Sequence, residues 1–320
     1  MSHARGRGHQ VHDWIEKWGK VPDSESARDG WAHHGIVVSE TGKVIAFHQA
    51  DPTVLIFDEE GDLENSWTAT VENAHGMYIT KEGTDEYLWL ADNISSQAVK
   101  TALEGELVLS VDRPDLKVYV EGGAYKPTGV AVNQEKDGGN GDVYVADGYG
   151  SSYVHRYDKN GEYIDSINGE ESEAGRFATP HDVWVDTRKP EKELYIADRA
   201  NGRLQVYDLE GNYKRVFGRA PAADWLHSPA AFAQTGDFLI VAELRGSRIT
   251  VLDKDDELVC YLGENAGAFR MNPGWPNVPH ETLIPGKCSS PHGIAADPDG
   301  NIYSAEWLIG GRINKLAKVV

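Results

Sequence analysis

Cysteine is nearly absent from this chain. Only two cysteines, Cys260 and Cys288, occur in its 320 residues. So few thiols exclude a scaffold built on disulfides and are typical of a reducing compartment. A single disulfide between these two residues stays open as an alternative.

Positive charge and long apolar runs are also scarce. The 51 acidic residues outnumber the 31 lysines and arginines, which gives a formal net charge of −20. Nucleic acids and anionic membranes attract basic surfaces, so we expect neither as a partner and interpret the acidity as an aid to solubility. No apolar run approaches the roughly 18–20 residues that a membrane-spanning helix requires.

The first ten residues, MSHARGRGHQ, lack the apolar core of a secretion signal. We therefore expect a cytoplasmic protein. We also expect a monomer whose partner is a small-molecule substrate.

A repeated pattern of short strands fills the chain instead. In residues 179–208, three apolar runs are separated by turn-forming residues, which indicates three antiparallel strands. The second run ends on an acidic residue, and this ending recurs in YLWLADN, DVYVADG, ELYIADR, FLIVAEL and NIYSAEW, at Asp92, Asp147, Asp198, Glu243 and Glu306. A sixth copy, KVIAFHQ, has His48 at that place.

Four short strands per unit at a period of about 40–60 residues are typical of a propeller blade. The sequence therefore predicts an all-β, six-bladed propeller that forms a single domain over residues 1–320. An open β-sandwich is the alternative, but a sandwich would not repeat the acidic ending. The blade pattern resembles that of NHL-repeat propellers.

The last unit has only three strands before the sequence ends. The segment DWIEKWG, residues 13–19, has the pattern of a fourth strand, so we expect it to complete the last blade and close the sheet edge. We expect residues 1–12 to be a disordered tail and residues 22–30 to be a loop.

Residues 264–290 depart furthest from the repeat and contain four prolines. Long loops in compact domains are often functional, so one interpretation is a lid over the mouth of the propeller. The alternative is a surface loop that packs against its own blade.

Histidines occupy the same position in alternate units. His75, His181 and His292 open the first strands of units 2, 4 and 6, which would lie about 120° apart around the axis of a six-bladed ring. Three imidazoles at one level can hold a metal ion with an open coordination position. The alternative is that each histidine belongs to a turn dipeptide. His34 shares the register in unit 1, and it would be a further ligand, a hydrogen-bond partner of a ligand, or a bystander.

Further polar side chains are expected on the same face. A first strand begins where its antiparallel second strand ends, so residues just after the acidic endings lie near the histidines; they are Gln49, Asn93, Tyr149, Arg199 and Arg245. Tyr149 could also be a rim aromatic, and Arg199 an ion-pair partner of a neighbouring blade. We interpret the acidic endings as structural acceptors of backbone N–H groups rather than as a cation-binding ring.

The segments PHDVWVD, LYIADRANGRLQVY, KPTGVAV, VYVADGYGSS and PHGIAADPDGNIY resemble peptidyl-α-hydroxyglycine α-amidating lyases. The resemblance covers residues 31–320 and is sharpest at 126–217. It implies a six-bladed propeller with zinc held by His75, His181 and His292, a catalytic Tyr149, and Arg199 as a substrate-binding arginine. That family cleaves a carbinolamide C–N bond to give an amide and an aldehyde acid.

Two positions depart from the family pattern. Gln49 stands where the family has a second arginine, next to His48, and Gly293 stands where it has an aspartate that serves a structural calcium. We therefore assign Gln49, His48 and His34 to substrate binding. Asp182, with the carbonyl groups of Ile36 and Met77, is an alternative calcium site.

The sequence thus favours a metal-dependent lyase or hydrolase acting on a small carbinolamide-like substrate. Zinc is the first choice, although imidazoles also suit iron, copper and nickel. Tyr149 would accept a proton, and Arg199 would bind a carboxylate or stabilise an oxyanion. A non-catalytic NHL scaffold for a protein partner is the second hypothesis, and a lactonase or phosphotriesterase of the calcium-centred propellers is the third.

Overall fold

The computed structural model describes residues 3–5, 11–32, 35–218, 226–271 and 274–319. The described chain is almost entirely β-structure and forms six antiparallel sheets, five with four strands and one with five. The fold is a six-bladed β-propeller, as the sequence predicts.

The chain divides into two compact units, Met1–Ala69 with Ala230–Val320, and Thr70–Pro229. The single-domain assignment stays a prediction.

The strands follow the repeat. The chain begins with β1 (His3–Arg5) and β2 (Val11–Ile15). Blade 1 comprises β3 (Ile36–Val38), β4 (Val44–Phe47), β5 (Val54–Phe57) and β6 (Leu63–Trp67). Blade 2 comprises β7 (Ala74–Glu82), β8 (Asp85–Asp92), β9 (Gln97–Ala102) and β10 (Leu107–Val111). Blade 3 comprises β11 (Gly129–Val132), β12 (Val143–Ala146), β13 (Val154–Tyr157) and β14 (Tyr163–Ile167).

The remaining blades have the same order. Blade 4 comprises β15 (Pro180–Asp186), β16 (Glu193–Asp198), β17 (Arg203–Tyr207) and β18 (Tyr213–Phe217). Blade 5 comprises β19 (Pro229–Thr235), β20 (Phe238–Glu243), β21 (Arg248–Leu252) and β22 (Leu258–Leu262). Blade 6 contains β23 (Pro291–Ala296), β24 (Ile302–Glu306) and β25 (Arg312–Lys318), and β2 and β1 extend its sheet.

Helices are few and short. They are α1 (Glu25–Asp29), α2 (Lys117–Val120) and α3 (Ala268–Met271), with single 3-10 turns at Glu135–Asp137, Arg199–Asn201 and His280–Thr282. No helix in the described part of the chain is long and apolar enough to cross a membrane.

Burial follows the position of a strand in its blade. The second strand of blade 4, β16, is buried at every position, whereas the outer strands β6, β10 and β14 are largely exposed. A central strand is covered on both faces by its neighbours, so its sequence is a continuous apolar run. An outer strand faces solvent, so its sequence contains polar residues.

The hairpins between the third and fourth strands of blades 1, 3 and 4 share one turn. In blade 1, Asp58 Oδ1 accepts the backbone N–H groups of Glu60 and Asp62 at 3.1 and 2.8 Å. Gly61 lies between these donors with φ of +79°, a conformation that favours glycine. The sequence signal Asp-x-x-Gly therefore fixes the turn through a side-chain acceptor and a left-handed residue.

The N-terminal strand completes the last blade, as predicted. Strand β2 pairs antiparallel with β25, with His12 opposite Lys318 and Ile15 opposite Lys315. The strand starts earlier than expected, and β1 adds a further pairing at its outer edge. The prediction of a disordered tail over residues 1–12 is therefore wrong at 3–5 and 11–12, while 1–2 and 6–10 lie outside the described residues.

The prediction of a loop over residues 22–30 is wrong in its centre. Helix α1 forms there because Ser24 caps it, accepting the backbone N–H of Ala27 on its hydroxyl oxygen at 3.2 Å. Ala27 is buried and anchors this single turn.

The segment at 264–290 contains no strand among its described residues, as expected. It packs against blade 6, the blade that follows it: Ile309 donates to the Pro276 carbonyl at 3.0 Å, and Arg312 donates to the Lys287 carbonyl at 3.1 Å. These contacts show what the described part of the segment packs against, and the lid function stays a prediction. Cys260 and Cys288 are both buried and free, so the alternative of a disulfide between them is wrong.

Candidate metal centre and catalytic site

The opening of each first strand lies beside the acidic end of its second strand. In blade 2, Ala74 pairs with Asp92, and in blade 4, Pro180 pairs with Asp198. His75 and His181 each follow these openings by one residue. Antiparallel pairing therefore places both histidines at the blade end that the sequence predicts.

The strand pairing is irregular at each of the three histidines. The register shifts between Ala74 and Gly76, between Pro180 and Val183, and between Pro291 and Gly293, so His75, His181 and His292 all lie in β-bulges. A bulge turns a side chain away from the regular alternation of a strand and is common beside active sites. The blade repeat does not show these bulges, and their signal in the sequence is the short Pro-His or Ala-His opening.

His75 is held in one tautomer. Its Nδ1 lies 2.9 Å from the carbonyl oxygen of Thr128, which can only accept, so Nδ1 carries the hydrogen. In the neutral ring, Nε2 is then the nitrogen with a free electron pair. This Nε2 lies 3.2 Å from the hydroxyl oxygen of Tyr149.

The Tyr149 hydroxyl lies among three side chains of the unit formed by blades 2 to 4. It is 3.2 Å from His75 Nε2, 3.2 Å from His181 Nε2 and 3.1 Å from Arg199 Nη1. The guanidinium also lies over the phenol ring, 5.1 Å from its centroid. Arg199 follows β16 directly and donates its backbone N–H to Thr179 at 3.0 Å. Tyr149, the predicted proton acceptor, therefore lies next to Arg199, the predicted anion-binding residue, and next to two of the predicted metal ligands.

Burial keeps His75 neutral at physiological pH. Burial lowers its pKa from 6.5 to about 4, the Thr128 carbonyl opposes this change, and the positive charge of Arg199 adds to it. Only a neutral imidazole can donate its electron pair to a metal ion. The ring is thus in the form that a metal site requires.

Three histidines form a cluster that could hold a metal ion. Among the described residues, the group of His, Cys, Asp and Glu side chains with this capacity is His75, His181 and His292, all buried, each offering one ring nitrogen. His292 opens β23, and its ring meets Trp307 edge-on at 5.3 Å between centroids.

The acidic strand endings bond within their own blades. Asp147 accepts backbone N–H groups from Lys126 at 2.5 Å and Ser151 at 2.6 Å, and Asp198 accepts from Ala178 at 2.7 Å. Glu306 accepts from Ser289 and pairs with Arg312. These contacts support the interpretation of the acidic endings as structural acceptors.

Two of the predicted substrate-binding residues, His48 and Gln49, directly follow β4 in blade 1. His48 is fully buried, and burial lowers its pKa to about 4. A side chain without exposed surface offers a ligand no contact, so its role stays a prediction. Gln49 is half-buried and donates its backbone N–H to the Trp31 carbonyl at 2.9 Å. His34 lies outside the described residues.

The other residues predicted near the mouth have local partners. Asn93 accepts a hydrogen bond from Asn73 at 2.6 Å, and Arg245 is exposed, with its guanidinium 5.9 Å from the Phe269 ring centroid. The side chain of Asp182 lies against Gly129. The calcium site there stays a prediction.

Comparisons with known proteins agree with the fold. A family model described as a 6-bladed beta-propeller matches residues 138–221. The structure of a streptogramin B lyase superposes with a TM-score of 0.60 over 95% of this chain and 97% of that one, at 16% identity. At this identity the likeness shows the fold alone.

Two kinds of curated relatives match the sequence. NHL repeat-containing protein 3 of Mus musculus is 28% identical over 231 residues, covering 68% of this chain and 63% of the relative. A probable peptidyl-alpha-hydroxyglycine alpha-amidating lyase of Caenorhabditis elegans is 26% identical over 203 residues, covering 54% of each chain. The chain spans less than two thirds of the length of both relatives. It is thus a six-bladed propeller similar to NHL-repeat proteins and to amidating lyases.

Proposed function

We propose that this chain is a metal-dependent lyase that cleaves a C–N bond in a small carbinolamide-like substrate. The observation that carries the proposal is the Tyr149 hydroxyl, held between two imidazole Nε2 atoms and the Arg199 guanidinium. The names of the amidating relatives support the reaction class. We take the substrate to be a small molecule and the active species to be a single chain.

The residues present fit a divalent transition metal. With Nδ1 of His75 donating to Thr128, Nε2 has its electron pair directed at the Tyr149 oxygen. Tyr149 has one proton and can donate to only one of its two imidazole neighbours. A cation between the two Nε2 atoms could instead take an electron pair from each ring, and His292 would be the third ligand. Zinc suits an all-histidine set best, and when bound it would supply Lewis-acid polarisation of a substrate oxygen.

Tyr149 and Arg199 would divide the remaining work. The Tyr149 oxygen, as the phenolate, would accept the proton of the substrate hydroxyl. As the C=O bond forms, the C–N electron pair would leave with nitrogen, and that nitrogen would take the same proton back from Tyr149. An amide and an aldehyde result. The Arg199 guanidinium would bind a substrate carboxylate or the oxyanion that develops. With Gln49 where related lyases have arginine, we expect a less anionic or differently placed substrate tail.

Metal analysis of protein purified without a histidine tag tests the proposal. We expect one transition-metal ion per chain, its loss in His181→Ala, and its retention in His280→Ala, a half-buried histidine outside the cluster. Cleavage of α-hydroxyglycine substrates should disappear with chelator and return with zinc. Wild-type protein without stoichiometric metal, or a His181→Ala variant with unchanged metal content, would contradict it.

A non-catalytic scaffold is the second candidate. It is favoured by one observation: NHL repeat-containing proteins 3 of Mus musculus and Homo sapiens match 68% and 63% of this chain, and their names state no enzyme activity. Metal-free protein that is inactive across hydroxyglycine and lactone substrates, with or without added zinc, would support it.

A further inference from the structure

Thr128 occupies the histidine position of a blade that has no histidine there. The openings align as Ala74-His75-Gly76 in blade 2, Pro127-Thr128-Gly129 in blade 3 and Pro180-His181-Asp182 in blade 4. Blade 3 thus places a small hydroxyl side chain at the register where its two neighbours in sequence place imidazoles. Thr128 is 2% exposed.

The polar atoms of Thr128 contact His75 and the residues that directly precede His181 and Tyr149. The carbonyl oxygen accepts from His75 Nδ1 at 2.9 Å. The hydroxyl lies 3.3 Å from two carbonyl oxygens, that of Pro180, the residue before His181, and that of Ala146, at the end of β12. The same hydroxyl oxygen accepts the backbone N–H of Gly148, the residue before Tyr149, at 3.2 Å.

Two glycines allow this close approach. A Cβ on Gly76 would lie 2.5 Å from the Thr128 carbonyl oxygen, and a Cβ on Gly148 would lie 2.3 Å from the Thr128 hydroxyl oxygen. Real Cβ atoms do not approach oxygen so closely, so both positions require glycine. The backbone around Thr128 is therefore packed on the blade 2 side and beside Tyr149.

We propose that Thr128 is a positioning residue that sets the spacing of His75, His181 and Tyr149, an inference that rests on the proposed metal-dependent function. Its carbonyl fixes the tautomer and direction of one imidazole. Its hydroxyl connects the backbone segments that carry the second imidazole and the phenol. Groups that orient metal ligands in this way control metal affinity although they do not touch the metal.

Thr128→Val tests the proposal because it keeps the shape of the side chain and removes the hydroxyl. Thr128→Ser restores the hydroxyl. Thr235→Val is the matched control, since Thr235 also donates its hydroxyl to a carbonyl oxygen, that of Asp297 at 2.9 Å, but lies in blade 5 away from the histidine openings. We would measure zinc affinity, the visible spectrum of the cobalt-substituted protein, and kcat and KM separately.

We expect Thr128→Val to bind zinc roughly 10–100-fold more weakly, with an altered cobalt spectrum and a fall in kcat larger than any rise in KM. Thr128→Ser should recover most of the loss, and Thr235→Val should bind zinc like the wild type. Wild-type zinc affinity and cobalt spectrum in Thr128→Val would overturn the proposal.

A failure of the proposed metal-dependent function can be distinguished from a failure of the positioning role of Thr128. If the wild type binds no zinc, the imidazole ¹⁵N signals of His75 and His181 still report on Thr128. Signals that shift in Thr128→Val and return in Thr128→Ser support the positioning role, and signals that stay unchanged overturn it.

Discussion

The Tyr149 hydroxyl is the atom on which the proposed chemistry depends. The positions of His75, His181, Tyr149 and Arg199 in the repeat predicted that they lie on one face, because antiparallel pairing determines where a strand opening lies. It could not show that the phenol oxygen lies between the two rings, since that requires the bulges at the histidines and the Thr128 carbonyl. Both are backbone features that side-chain identity encodes only indirectly.

Tyr149→Phe should separate catalysis from metal binding. Removing the hydroxyl deletes the proposed proton acceptor while the imidazoles remain, so kcat should fall about 10²–10⁴-fold with metal content unchanged. Steady-state kinetics and metal analysis on one preparation check this. A variant with wild-type kcat would show that Tyr149 is not the base.

Asp198 tests whether the acidic endings are structural. Its carboxylate is fully buried and pairs with Arg203, Nε to Oδ2 at 2.6 Å. In Asp198→Asn the buried guanidinium loses its charged partner, so the free energy of unfolding should fall by about 3–5 kcal/mol. Urea unfolding measures the loss, and metal content should be unchanged. Loss of metal from a folded variant would instead favour a cation-binding role.

At the scale of elements, the repeat specified the strands well and their connections less well. Alternating apolar runs and Asp-x-x-Gly turns are local signals, so the strands of all six blades could be read from sequence. Helix α1 depends on one serine cap, and β1 on pairing with β2, a contact that no local pattern shows. These are the places where the predictions of loop and tail were wrong.

The closing strand β2 should contribute strongly to stability. Trp14 is 6% exposed and packs into the apolar cluster of blades 5 and 6, whereas Ile15, the next residue, is 41% exposed. Trp14→Ala should lower the free energy of unfolding by about 3–5 kcal/mol. Ile15→Ala is the control on the same strand and should change it far less. Thermal and urea unfolding measure both variants. If Trp14→Ala and Ile15→Ala lower the free energy of unfolding equally, the pairing of β2 with β25 is contradicted.

At the scale of the whole molecule, buried neutral histidines couple stability to pH. Burial lowers the pKa of His155 from 6.5 to about 3. Between these values the unfolded chain binds the proton and the folded chain does not, so the free energy of unfolding falls as the pH drops through this window. The two ring nitrogens of His155 are hydrogen-bonded to the hydroxyl oxygens of Tyr119 and Ser166, each at 2.7 Å.

His155→Gln should therefore weaken the pH dependence. At pH 7.5 the variant loses the hydrogen bonds of the ring and should be less stable than the wild type. At pH 4.5 this deficit should shrink, because the variant has no group to protonate on unfolding. Urea unfolding at both pH values measures the difference, and a deficit that grows on acidification would contradict the assignment.

The fold class was predictable from the whole chain because six copies of one pattern reinforce each other, while the reaction was not. Amidating lyases and NHL proteins share the blades, so only the site separates enzyme from scaffold. Gln49 and Gly293 are departures from the lyase pattern that leave the repeat itself unchanged.

Anomalous diffraction at the absorption edge of the bound metal tests the central claim most directly. The account predicts one anomalous peak about 2.0–2.1 Å from a ring nitrogen of each of His75, His181 and His292, with the Tyr149 hydroxyl nearby. Crystals of tag-free, zinc-supplemented protein that show no peak at these three nitrogens, with the rings resolved, would contradict it.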